Sequence, residues 1–147
     1  MKKIIFITGV NGFIGRNLCK FLTKKDYIVY GIDNFFSSNK KNISELNSKN
    51  FLFKEKSILD LNIFDSFPGD IHLVIHLAAQ TSVLNSIKDP LTNNKINIVG
   101  FENIFNQSQK KKIKNFFFAS SSSVYGDNVN LPLTEKLSEL KPLSPYA

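Results

Sequence analysis

Short apolar runs of strand length alternate along this chain with longer segments of helical period. Lys3 to Thr8 reads as a first buried strand. Asn11 to Lys25 reads as a helix with Phe13, Ile14, Leu18, Phe21 and Leu22 on one face. Tyr27 to Ile32 is a second strand, and Phe35 to Asn50, rich in Ser, Asn and Lys, is a loop with one short helix. A third strand begins over Phe51 to Phe53, followed by a short helical turn from Leu61 to Phe67 that ends at Pro68-Gly69. Ile71 to Leu77 is a fourth strand, apolar apart from His72 and His76. A long helix runs from Pro90, a favoured first-turn residue, to Lys110. Asn115 to Ala119 is a fifth strand, after which Pro132, Pro142 and Pro145 break an irregular segment.

Continuously apolar strands alternating with helices imply a parallel sheet covered on both faces. Right-handed crossovers then give a Rossmann-type, doubly wound α/β sheet of about five strands, incomplete, in one domain over residues 1–147. Val74, Phe116 and Phe118 alternate between the two faces, so some of them are expected to remain exposed.

The first strand runs straight into Thr8-Gly9-Val10-Asn11-Gly12-Phe13-Ile14-Gly15, with a helix beginning inside the run. Gly9 permits a tight turn, Gly12 lets backbone approach a pyrophosphate, and Gly15 lets helix and strand pack closely. The helix N-terminus offers unpaired N–H groups and a positive dipole end to phosphates. Glycine triplets are common in loops; this one lies between a strand and a helix, the context a dinucleotide site requires. Asp33 ends the second strand 18 residues beyond Gly15, where a carboxylate binds the adenosine ribose hydroxyls. A carboxylate there repels the 2′-phosphate of NADP, so NAD is the expected cofactor. Asp60, after the third strand, is a candidate acceptor for the adenine amino group.

The formal net charge is +7, yet Arg16 is the only arginine, whereas nucleic-acid readers favour Arg forks. The Lys110 to Lys114 run lacks interleaved aromatics and reads as a solvated helix end, where cations meet the dipole. No nucleic-acid partner is expected. No segment reaches the roughly 18 apolar residues of a membrane span. The apolar start, Ile4 to Ile7, is too short for a secretory signal, and its lone Cys19 fits a reducing compartment, so a cytoplasmic location is expected. Cys19 reads as a packing residue and His76 as a structural one; no metal site is expected.

Together these features resemble the extended short-chain dehydrogenase/reductase family, in particular its nucleotide-sugar epimerases of the UDP-hexose 4-epimerase type. The resemblance rests on Thr8 to Gly15, Asp33-Asn34, Asp60-Leu61, His76 to Gln80, Asn97 with Gly100 and Asn103, Ser120 to Gly126, and Ser144 to Ala147. It implies pyrophosphate contacts from Gly9, Asn11, Gly12, Phe13 and Ile14, with Gly15 in the same turn. Asp33 and Asn34 fall to the adenosine ribose, and Asp60 and Leu61 to the adenine. Leu77, Ala78, Ala79 and Gln80 would line the channel to the nicotinamide ribose, with Asn97 nearby and Ala119 and Ser120 also at the cofactor. The catalytic hydroxyl lies five residues before Gly126, at Ser121, and the catalytic Tyr twenty after it, at Tyr146. Free Tyr titrates near roughly 10, so it acts near neutral pH only where cations favour its phenolate. The resemblance implies transient oxidation of the sugar C4 by hydride transfer to bound NAD, a UDP-sugar substrate, and a homodimer for the full-length parent.

The Lys expected four residues after Tyr146 would stand at position 150, beyond the last residue given. The chain therefore reads as the N-terminal half of such an enzyme, cut within Tyr-x-x-x-Lys, without a substrate domain and inactive alone. Two alternatives are a non-catalytic NAD-binding module and another family member, such as a UDP-glucuronate decarboxylase or a 4,6-dehydratase. Dehydratases carry an acidic pair directly after the catalytic hydroxyl; Ser122 and Ser123 stand there.

Overall fold

The computed structural model describes residues 2–129, 131–136 and 140–147. Five strands form one sheet: β1 (Ile4–Thr8), β2 (Ile28–Asp33), β3 (Phe51–Glu55), β4 (Ile71–His76) and β5 (Asn115–Phe118). Their order is β3-β2-β1-β4-β5 and all neighbours are parallel, the doubly wound arrangement expected. β1 is central and buried along its whole length.

Alternate side chains of β1 feed two separate cores, as the twofold period of a strand demands. Ile4 and Phe6 join Tyr30, Ile32, Phe64, Phe67, Val74 and Ile104 on one face. Ile5 and Ile7 join Val10, Val29, Leu46, Cys19 and Leu22 on the other. In the first core Phe6 meets Phe64 and Phe67 edge-on, at 4.8 and 5.3 Å between centroids. Tyr30 stacks on Phe67 and donates its hydroxyl to the Pro68 carbonyl at 2.8 Å. Cys19 is buried in the second core, and desolvation pushes its thiol up to about 12, so it packs rather than reacts.

Helix α1 (Phe13–Lys24) differs from expectation in the face it buries. Gly15, Cys19 and Leu22 face the sheet, whereas Phe13, Ile14 and Phe21 are 76%, 62% and 57% exposed. The reason is clearance: a Cβ on Gly15 would stand 2.3 Å from the Gly9 carbonyl oxygen, so only small residues fit where the helix meets the strand. Val74 is buried, while Phe117 and Phe118 on the outermost strand are exposed.

The segment before β5 also departs from a single helix. A short helix α2 (Val83–Lys88), too brief to show a period in the sequence, is capped by Ser82 accepting the Asn85 N–H at 3.2 Å. Asp89 ends it and caps α3 (Pro90–Asn94), accepting the Thr92 N–H at 3.0 Å with Pro90 in the first turn. A π-helical turn, Lys95–Val99, then leads into α4 (Gly100–Lys110). Asn103 and Gln107 of α4 grip the 58–63 turn through the carbonyls of Ile58 and Asp60 and the N–H of Ile63, at 2.7 to 2.9 Å. At the end of α4, Lys111 pairs with Asp65.

The aromatic cluster generates a stability prediction. Phe64→Ala should cost about 3–5 kcal/mol in denaturant unfolding, because it empties a buried site against the Phe6 ring. Leu61→Ala, at a side chain 78% exposed, should stay within about 0.5 kcal/mol.

Candidate active site

The carboxyl ends of β1, β2, β4 and β5 open onto one cavity of about 920 Å3, the edge where open α/β sheets take ligands. Its floor is the turn after β1. Gly9 has φ +67°, and a Cβ there would lie 2.8 Å from the Ala78 nitrogen, so backbone meets backbone directly. Gly12 N–H closes the turn on the Gly9 carbonyl at 3.1 Å. The first i→i−4 bond of α1 runs from Arg16 N–H to the Gly12 carbonyl at 3.0 Å. The amides of Phe13, Ile14 and Gly15 precede that bond at a helix end on the cavity wall, an anion-receptive arrangement.

Thr8 braces this floor. Its Oγ1 accepts the N–H groups of Leu77 and Ala78, each at 3.1 Å, and lies 3.0 Å from His76 Nδ1. With both lone pairs occupied, the hydroxyl hydrogen goes to Nδ1, which makes His76 the neutral tautomer protonated at Nε2. Phe101 and Phe116 flank its ring. Burial lowers its pKa to about 4, consistent with a structural imidazole on the cavity wall.

At the β2 end, Asp33 lines the cavity and is already engaged by the protein. Its Oδ2 accepts the Asn11 N–H at 3.0 Å, and its Oδ1 accepts Phe35 N–H at 2.8 Å and the Ser38 hydroxyl at 3.1 Å. Asn34 lines the cavity beside it. Across the sheet, Leu77, Ala78, Ala79, Asn97, Ala119 and Ser120 line it too. Asn97, in the π-helical turn, makes a reciprocal pair with the Gln80 backbone: its Oδ1 accepts at 2.8 Å and its Nδ2 donates at 3.0 Å.

Ser121 and Tyr146, 25 residues apart in sequence, line the same cavity. Ser121 Oγ accepts the Ser123 N–H at 3.2 Å and precedes the 3-10 turn Ser122–Tyr125. The Tyr146 N–H is accepted by Ser86 Oγ of α2 at 3.2 Å, and the Ala147 N–H by Ser144 Oγ at 3.1 Å.

Four positions do not lie where the family pattern would put them. The Asn11 side chain is buried and donates to Ser38 Oγ and the Asn39 carbonyl, both at 2.9 Å, rather than lining the cavity. The Gln80 side chain is buried, its Oε1 accepting from Asn93 at 3.0 Å. Asp60 turns back to accept the Ser57 N–H at 3.0 Å, and Leu61 points to solvent. Because β3 ends at Glu55, residues Lys56 to Leu59 are the ones that reach the cavity. The resemblance implied Asp60 and Leu61 at this end; counting from the strand's end rather than seeking a carboxylate points to 56–59. Phe36, Ser37 and Ser38 also line the cavity, and a loop rich in polar residues gave no signal for them.

Fold and site define a Rossmann-type α/β unit whose glycine turn, acidic strand end and Ser/Tyr pair share one cavity. A family profile described as GDP-mannose 4,6 dehydratase matches residues 6–147, and the chain belongs to that family, within the extended short-chain dehydrogenase/reductases. The protein CapI of Staphylococcus aureus is 38% identical over 97% of this chain and 45% of its own length. The UDP-N-acetylglucosamine 4-epimerase of Methanobrevibacter ruminantium, solved with UDP-N-acetylmuramic acid, superposes with a TM-score of 0.88. It is 36% identical, over 99% of this chain and 46% of that one. A UDP-glucose 4-epimerase of Stenotrophomonas maltophila, solved with bound NAD and formylated UDP-arabinopyranose, is 26% identical. Its TM-score is also 0.88, over 98% of this chain and 44% of that one. The chain thus spans about half the length of these relatives. Among the described residues no helix is long and apolar enough to cross a membrane.

His76 gives a pH prediction. The unfolded chain takes up a proton near 6.5 and the folded one only near 4, so acidification favours unfolding. The contribution, roughly 3 kcal/mol in all, is present above pH 6.5 and is lost as the pH falls towards 4. Between pH 7 and 5 denaturant unfolding should lose about 2 kcal/mol from this group. His76→Asn, which keeps an acceptor for Thr8, should flatten that part of the profile.

Proposed function

We propose that this chain supplies the NAD-binding and Ser/Tyr part of a nucleotide-sugar epimerase of the UDP-hexose 4-epimerase type. The observation that carries the reading is the meeting of Ser121 and Tyr146 with Asp33 and the glycine turn on one cavity wall. The cavity fits the cofactor's chemistry: backbone amides and a helix end for the pyrophosphate, and an acceptor at the β2 end for ribose hydroxyls. Its volume of about 920 Å3 is that of a ligand site for a molecule of this size.

When bound, NAD supplies the hydride acceptor and later the donor. The chain does the rest. Gly9 and the backbone of Gly12 to Gly15 hold the pyrophosphate, and Asp33 and Asn34 orient the adenosine ribose. Ser57 and Ile58 flank the adenine end, while Ala78, Ala79 and Asn97 border the nicotinamide end. Ser121 hydrogen-bonds the sugar hydroxyl at C4, and the Tyr146 phenolic oxygen takes its proton and later returns it. A UDP-sugar substrate is supported by the ligands of the related epimerases. A serine pair at 122 and 123, in place of the dehydratases' acidic pair, favours epimerisation over dehydration. The reading extends to a cytoplasmic enzyme and a homodimeric full-length parent; exposed Leu84, Ile87 and Leu91 on α2 and α3 provide apolar area for the latter.

Calorimetric titration should show tighter binding of NAD than of NADP, and Asp33→Ala should narrow the difference; equal binding by the unmodified chain would overturn the cofactor assignment. The 147 residues alone should show no turnover of UDP-galactose, UDP-N-acetylglucosamine or UDP-glucuronate, because their relatives are about twice as long. Joined to the C-terminal half of a related epimerase the chain should turn over. Tyr146→Phe in that hybrid should then lower kcat by about 10²-fold or more, and Ser121→Ala by less. Indifference to Tyr146→Phe would remove Tyr146 as the base.

A further inference from the structure

Asn11 lies between the glycines of the turn, yet it is fully buried and makes three hydrogen bonds, one to Asp33 at the end of β2 and two to Ser38 and Asn39 beyond it. The orientation of its amide is fixed by chemistry. The Asn39 carbonyl can only accept, so the NH2 group faces it, and the second hydrogen of that group goes to Ser38 Oγ. The other end of the amide, Oδ1, is buried with no donor among the described residues. A buried acceptor left unsatisfied costs stability, so the side chain sits here for its two donors.

Those donors dictate the direction of the next bond. One lone pair of Ser38 Oγ is filled by Asn11 Nδ2, and its hydrogen points to Asp33 Oδ1. The relay is one-way: amide to hydroxyl to carboxylate. Asp33 Oδ1 then has both acceptor sites filled, by Phe35 N–H and Ser38, and Oδ2 has one filled by Asn11 N–H. One acceptor site therefore remains on Asp33 Oδ2 and one on Ser38 Oγ. Both residues line the cavity.

We propose that Asn11 is a specificity-determining residue: by holding the Ser38 hydroxyl with its hydrogen turned towards Asp33, it presents two adjacent acceptors that take the two hydroxyls of a ribose diol and reject a 2′-phosphate. A diol has two hydrogens to give; a phosphate dianion has none and meets only lone pairs. The point matters because Lys56 also lines this cavity, and a cation there favours a 2′-phosphate. Discrimination falls to the acceptors. Without Asn11 the Asp33 carboxylate alone holds the Ser38 hydrogen, and a phosphate dianion competes for it.

This inference rests on the cofactor reading above, and the experiment separates the two. NAD and NADP are titrated by calorimetry into the unmodified chain and into Asn11→Ala, Ser38→Ala and Asp33→Ala. Asn11→Ala should narrow the NAD-to-NADP affinity ratio by about fivefold or more, with NADP binding tightened. Ser38→Ala should weaken NAD by about fivefold and leave NADP within about twofold, since it removes the acceptor and supplies no donor. A merely structural role for Asn11 would weaken both cofactors alike and leave the ratio unchanged, which overturns the proposal. Should Asn11→Ala fail to fold, Ser38→Ala, at a half-buried loop position, decides: NAD affinity within about twofold of the unmodified chain overturns it. A ratio that Asp33→Ala does not move removes the cofactor reading and this inference with it. A ratio moved by Asp33→Ala but not by Asn11→Ala removes this inference alone.

Discussion

The contact between the glycine turn and the end of β4 is the constraint on which the site depends. With Gly9 at φ +67° and no Cβ, its backbone lies against the Ala78 amide, and Gly15 in turn lies against the Gly9 carbonyl. Two glycines thus set how closely α1 approaches the sheet and where its N-terminus points. Thr8 adds a covalently adjacent brace, since one hydroxyl gathers the amides of Leu77 and Ala78 and the imidazole of His76. A side chain at either glycine would push α1 outward and tilt the amides of residues 13–15 away from the cavity. The loss would fall on ligand geometry as well as on packing.

The two cores serve that geometry differently. The core under α1 is aliphatic and lets the helix sit close. The opposite core is dominated by rings around Phe6, and its helix α4 uses polar side chains for a second task. Asn103 and Gln107 hold the carbonyls and amide of the 58–63 turn, which has no regular partner of its own. That grip brings Ser57 and Ile58 to the cavity. The π-helical turn ahead of α4 places Asn97 against the Gln80 backbone, a local departure from helix geometry of the kind found at functional sites.

The alternation of strands and helices, the glycine turn and Asp33 were legible in the sequence because each is governed by local chemistry: a twofold or 3.6-residue period, a Cβ that cannot fit, a carboxylate at a strand end. Three things were not legible. The buried face of α1 followed clearance rather than hydrophobicity, so Phe13 and Ile14 turned outward despite their apolar character. Helix α2, at six residues, is shorter than two turns and is held by the Ser82 cap and by its tertiary contacts rather than by a periodic stripe. The residues at the β3 end were misjudged by three positions because a strand's last residue is decided by its pairing with β2, which no local signal records. Asn11 belongs to the same class: its partners lie 27 and 28 residues away.

The same logic of hydroxyl direction governs the far side of the cavity. Ser86 is fully buried in α2, and its single hydrogen goes to the Val83 carbonyl at 2.7 Å. Its oxygen is therefore left as an acceptor, and the N–H it accepts is that of Tyr146. The partner amide lies in a bend after Pro145 in which Ser144 Oγ accepts the Ala147 N–H. A helix invisible to periodicity thus supplies an acceptor for the backbone of the proposed base. Ser38 and Ser86 are then equivalent devices, Ser38 in the cavity wall and Ser86 buried behind the Tyr146 backbone. Each is a small hydroxyl whose hydrogen is committed elsewhere in the protein, so that what it shows its partner is a lone pair. Serine suits this use because its hydroxyl rotates freely until a neighbour claims the hydrogen, and here the neighbours are Asp33 and the Val83 carbonyl.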